Sequence, residues 1–199
     1  MRKAPRLARS IEIIYIFVVG SLHYWGALIR SGLIYGFSDA ALSMLFFLQE
    51  AKGLSKIRST TEQVETEKKS GNVPYGKVLS FIWTGLLSLC VASLLSIKMG
   101  VMNSISSLLL VTSLTLFSFY HVFLVLAVSL YSDRKETFEG KWFYAHTLDY
   151  LIRNPFKSLF VLMLTWSALG IAYFNLVLFI FLIPSIYWLM IQKGLRVRL

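Results

Sequence analysis

Residues 78–97 read VLSFIWTGLLSLCVASLLSI, with Lys77 before them and Lys98 after. No charge interrupts the run. A helix of that length rises about 30 Å, the thickness of a bilayer's hydrocarbon core. Working outward, comparable apolar runs occupy 11–28, 31–48, 107–131, 158–174 and 176–191. Together they use most of a 199-residue chain that is 56% hydrophobic, with mean hydropathy +0.66. A soluble domain carries less apolar residue and more charge. The expected fold is therefore an all-α membrane protein: one domain over 1–199 with six transmembrane helices, short outer turns and two longer loops, 49–77 and 132–157.

The basic residues fix the expected sidedness. Arg2, Lys3, Arg6 and Arg9 precede the first run. Lys52, Lys56, Arg58, Lys68, Lys69 and Lys77 fill the first long loop, and Arg134, Lys135, Lys141, Arg153 and Lys157 the second. Lys193, Arg196 and Arg198 follow the last run. The other side receives only Arg30 and Lys98 of the 20 Lys and Arg residues. Loops rich in Lys and Arg stay cytoplasmic, so both termini and both long loops are expected inside. The formal net charge of +10 is read the same way, as loops facing anionic headgroups. No nucleic-acid motif accompanies it, and no nucleic-acid partner is expected. The start, MRKAPRLARS before an apolar run, resembles the first regions of a signal peptide. No small-x-small site follows, so an uncleaved first helix is expected, with Tyr24 and Trp25 at the far interface.

Two registers fit the first pair of helices. One turns at Arg30-Ser31-Gly32 and leaves Asp39 mid-membrane. The other, preferred, carries the first helix to Tyr35 and turns at Gly36-Phe37-Ser38. Ser38 then caps the second helix, Asp39 sits at its positive end and can pair with Arg30, and Gly32 and Gly36 form a close-packing face. In the first long loop, Ser59-Thr60-Thr61-Glu62 has capping-box spacing, predicting a short helix through Lys69. In the second, Trp142, Ala145, Leu148 and Ile152 recur at helical spacing and predict a helix in the inner headgroup layer. Asn154-Pro155 ends it and starts the fifth span. Pro184 is expected to kink the last. Pro74–Phe81 and Pro155–Phe160 share a Pro-aromatic, Lys, apolar order, a hint that spans three–four and five–six repeat in parallel.

Polar residues inside spans are the candidate sites. Ser80, Thr84, Ser88, Ala92 and Ser96 fall every fourth residue and predict a helix-packing face. Arg30, Asp39 and His121 form a candidate intramembrane polar set; for His121 the first expectation is a hydrogen bond to a neighbouring helix. Glu12 is expected in an interfacial salt bridge, and Asn175 in the last outer turn. His23, His121 and His146 have no ligand spacing, and Cys90 is the single cysteine, so neither a metal nor another cofactor is expected. Phosphate-loop, dinucleotide, zinc-protease and nucleophile-elbow motifs are absent, and an enzyme is not expected.

Three stretches carry a resemblance. Tyr35-Gly36-Phe37-Ser38-Asp39-Ala40-Ala41-Leu42, Pro74–Phe81, and Leu151-Ile152-Arg153-Asn154-Pro155-Phe156-Lys157-Ser158-Leu159 resemble, in order, the turn after the first helix and the approaches to the third and fifth helices of the YesL family of bacterial multi-pass membrane proteins. Asp39 departs from that family's small uncharged residue. The resemblance implies a place in the bacterial plasma membrane and an association with carbohydrate uptake systems of the ATP-binding-cassette kind; it implies no catalytic residue. The leading expectation is an accessory or regulatory protein that meets a transporter permease or sensor kinase, or a second copy of itself, within the lipid bilayer. The alternative is a small autonomous secondary transporter or channel using Arg30, Asp39 and His121.

Overall fold

The computed structural model describes residues 6–57, 73–100, 103–133 and 140–195. Among them every regular element is a helix: α1 (Arg6–Arg30), α2 (Phe37–Ile57), α3 (Gly76–Lys98), α4 (Asn103–Asp133), α5 (Gly140–Arg153), α6 (Pro155–Phe174), α7 (Leu176–Phe181) and α8 (Ile183–Gly194). Stretches of α1, α3, α4 and α6 are long and apolar enough to cross a membrane: Ile11–Arg30, Gly76–Lys98, Ser104–Ser132 and Pro155–Phe174. The protein is an all-α membrane protein. The predicted helix between Ser59 and Lys69 lies outside the described residues.

Two of the expected crossings look different in three dimensions. The apolar part of α2, Phe37–Gln49, is only about 20 Å of helix. The last run is not one helix: it breaks at Leu182 into α7 and α8. Pro184 is the cause, because it has no N–H for the Ile180 carbonyl one turn back. Trp25 of α1 supplies the missing donor, its indole Nε1–H reaching that carbonyl at 2.9 Å. Asn175 makes the preceding turn, its side chain accepting from the Leu178 N–H at 3.0 Å.

The turn between α1 and α2 combines the two registers. Helix α1 stops at Arg30, as in the first, and Asp39 lies in the first turn of α2, as in the second. Residues 31–36 between them need Gly32 at φ 77° and Leu33 at φ 37°. The left-handed region costs Gly nothing and Leu something, so this turn is a strained link. Gly36 is tight against its own turn, where a Cβ would lie 2.9 Å from the Leu28 carbonyl oxygen. Nothing lies within 4 Å of a Cβ at Gly32, so the two glycines do not form a helix-packing face.

The levels of the elements also depart from the expected stack. Phe37, at the start of α2, is beside His121, and Gln49 bonds Ser132 at 3.0 Å, so α2 runs with the second half of α4. Helix α3 runs against α4: Tyr120 donates to the Leu79 carbonyl and Trp83 to His121. Ser38, at the start of α2, contacts Gly76 and Ser80, at the start of α3. Thus α2 and α3 begin side by side and leave in opposite directions. The sequence layout put the turn at 31–36 and the start of α3 on opposite membrane faces; the contacts put them together. The physical reason is local. Thr84 Oγ1 lies 3.0 Å from both the Ile34 and the Ser80 carbonyls, and Ser38 donates to the Gly76 carbonyl at 2.7 Å, which ties the exposed turn and the start of α2 to α3.

The core gathers around the second half of α4, where Leu124, Val125, Leu126, Ala127 and Val128 are fully buried. Leu45 and Leu48 of α2, Val161 of α6 and Trp188 and Ile191 of α8 close over it. The first half of α4 meets α3 along a seam of small residues, with Cys90 and Ser93 buried on one side and Ser106 and Ser113 on the other.

Candidate functional site

His121 is the centre of the most extended polar arrangement. Trp83 Nε1–H donates to His121 Nδ1 at 2.9 Å. His121 Nε2 meets the Tyr187 hydroxyl at 3.0 Å, and that hydroxyl meets Thr165 Oγ1 at 3.0 Å. Thr165 Oγ1 donates to the Val161 carbonyl at 2.9 Å. An indole N–H can only donate, so Nδ1 must accept and carries no proton. The rest follows in one direction. Nε2–H donates to Tyr187, Tyr187 to Thr165, and Thr165 to the backbone. The imidazole is neutral with its proton on Nε2, and the chain of donors ties α3, α4, α8 and α6 together. Aromatic rings wall it in: Phe37 lies 5.8 Å from the His121 ring and 4.5 Å from Trp83, and Phe117 stacks on His121 at 5.8 Å. A second proton on His121 would set two donors face to face at Trp83, so this geometry holds one protonation state.

Serine clamps form the second arrangement, and the same one occurs twice. Ser38 N–H donates to Ser80 Oγ at 3.1 Å, the two hydroxyls are 2.7 Å apart, and Ser38 Oγ donates to the Gly76 carbonyl. Ser185 N–H donates to Ser21 Oγ at 3.3 Å, the two hydroxyls are 2.9 Å apart, and Ser185 Oγ donates to the Phe17 carbonyl at 2.6 Å. In each, a serine in the first turn of one helix has a spare backbone N–H, and a serine within another helix accepts it. Gly20 allows the second clamp to close: a Cβ there would sit 2.9 Å from Ser185 Oγ and 3.0 Å from Met44.

The other candidate residues fall elsewhere. Asp39 is half-buried in the first turn of α2, and its electrostatic neighbour is Lys77. Arg30 is exposed at the end of α1. Among the described residues, no hydrogen bond or ion pair joins any two of Arg30, Asp39 and His121, so the structure does not assemble them into one path. A shallow cavity of about 410 Å³ opens beside the junction, lined by Tyr35, Lys77, Val78 and Phe81.

The every-fourth stripe on α3 is not its face against α4. Ser80 is buried, Thr84 and Ser96 are half-buried, and Ser88 and Ala92 are exposed. Four residues of α-helix overshoot a turn by about 40°, so five positions at that spacing wind by about 160°. The seam with α4 instead uses Cys90 and Ser93. Steps of three and four alternating would have located it. Sequence reasoning also missed Trp83, Tyr187 and Thr165, which lie on three different helices. The one available signal was that a buried histidine needs two partners. Among the described residues no three His, Cys, Asp or Glu side chains come together as a metal site would require. The chain matches no protein-family model, no curated protein and no solved structure.

Proposed function

We propose that the protein is a non-enzymatic accessory or regulatory subunit that packs against a membrane partner. On the YesL-like stretches, that partner is the permease of a carbohydrate uptake system of the ATP-binding-cassette kind, or its sensor kinase. The observation that carries the reading is the far half of the α3–α4 hairpin. Its outer side presents Ser88 and Ala92, both exposed among the described residues and small enough to let a foreign helix approach closely. We further infer a six-pass topology with both termini in the cytoplasm of a bacterial cell. In it α4 and α6 are full crossings, α7–α8 is a broken one, and α2 is a short one that starts inside the bilayer, where α3 also begins. The support is the basic character of every segment assigned inside.

The test is Ser88→Leu. Purified in mild detergent from its native membrane, the wild-type protein is expected to bring down a permease or kinase in fixed ratio. The variant is expected to lose that partner while keeping the wild-type thermal stability. Recovery of the wild-type protein alone, as a monomer or homodimer, would sink the accessory reading.

A further inference from the structure

We propose that the outward face of α5 is a second membrane contact, lying in the headgroup–acyl boundary at the end of the bundle where α6 begins. The orientation of α5 is fixed from within. Phe143, Thr147 and Leu151 are buried, and Phe143 packs against Tyr131 of α4 with ring centroids 5.8 Å apart. At 100° per residue, the opposite side then carries Ala145, Leu148 and Ile152, with Trp142 at its edge. Trp142 is 70% exposed and Ile152 67%. Asp149 falls within this face, between Ala145 and Trp142, and its charge is paired with Arg153 at 2.8 Å.

What covers this face follows from what it joins. Asn154 and Pro155 turn the chain, and the exposed apolar residues resume at once with Phe156, 86% exposed, and Leu159 on α6. Helix α6 is a candidate crossing whose apolar length is almost wholly uncovered by protein. Its cover is lipid, and Ile152 precedes Phe156 by only four residues, so α5 enters the bend next to that lipid. At the corner, Lys157 Nζ donates to the Tyr150 hydroxyl at 2.8 Å and lies 5.2 Å from the centre of that ring. The ammonium is thus held at the bend, where lipid phosphates lie. Tryptophan at the edge of the face suits the same layer. The occupant is a lipid surface, and this inference stands apart from the accessory reading.

Spin labels test it. In a Cys90→Ala background, single cysteines replace Ala145, Leu148 or Ile152 and carry a nitroxide; a label at Met163 on α6 is the lipid reference. The protein is placed in vesicles of phosphatidylcholine and phosphatidylglycerol, and collision rates with oxygen and with a water-soluble nickel chelate are measured. Oxygen is expected to exceed nickel several-fold at all three sites, as at Met163. A nickel-favouring ratio would overturn the proposal by placing the face in water. Low collision with both reagents would overturn it in favour of a covering protein. Cys90→Ser serves as background where Cys90→Ala does not fold.

Discussion

The two halves of α4 are built from the same kinds of residue and live in different surroundings. In the first half Leu108 is 73% exposed; in the second, Leu124 through Val128 are fully buried. Leucine and valine cannot tell these places apart, because lipid tails are as apolar as a protein core. The hydroxyls do. Along the first half of the hairpin they bond their own helix: Ser93 to Leu89, Ser96 to Ala92, Thr112 to Leu108 and Thr115 to Val111. Around the second half they cross between helices, as Ser38–Ser80, Ser21–Ser185 and Tyr187–Thr165 do. Own-helix bonds occur in both halves, as Thr165 to Val161 shows; bonds between helices are what mark the packed one.

Substitutions can break this contrast. His121→Ala removes the shared partner of Trp83 and Tyr187 and opens a cavity. It is expected to cost about 3 kcal/mol, read as a large fall in melting temperature in detergent. Gly20→Val forces a branched side chain into the α1–α2–α8 crossing and is expected to cost about 2 kcal/mol by the same assay. Trp25→Phe keeps an aromatic ring but leaves the Ile180 carbonyl unpaired, an expected loss of about 1 kcal/mol. Leu108→Ala, on the lipid side of the hairpin, is expected to change stability by no more than about 0.5 kcal/mol. Equal losses at His121 and Leu108 would abolish the distinction between the halves.

A pH experiment sharpens it from outside the spans. Tyr144 on α5 donates to the Pro74 carbonyl, and burial, with Tyr75 and Tyr131 nearby, pushes its hydroxyl from 10.0 up to about 12. A raised folded-state value means the unfolded chain gives up this proton first. Stability from Tyr144 is therefore complete below pH 10 and declines as the pH climbs toward 12. Tyr144→Phe is expected to flatten that part of a melting-temperature profile.

The single-helix features were legible in the sequence and the relations between helices were not. Uncharged length announced α3 and α6, Pro155 announced the start of α6, and Pro184 the break in the last run. The fourfold serine spacing did not mark the seam with α4, because four residues overshoot a turn of 3.6. The junction of Ile34 with Thr84 was hidden because hydropathy orders segments by side and says nothing of depth. His121 was visible as a polar residue in an apolar run, but its partners lie 38 and 66 positions away along the chain.

The bond from Trp25 to Ile180 bears on how the chain is made. A ribosome delivers α1 first and α7–α8 last. At Pro184 the last segment enters the bilayer with a bare carbonyl that its own sequence cannot cover. Until it docks on α1, that segment is a poor resident of hydrocarbon. Helix α1 therefore acts as a receptor for α7–α8. A protein lacking α1 should insert its final segment inefficiently, and α1 supplied as a separate polypeptide should rescue it.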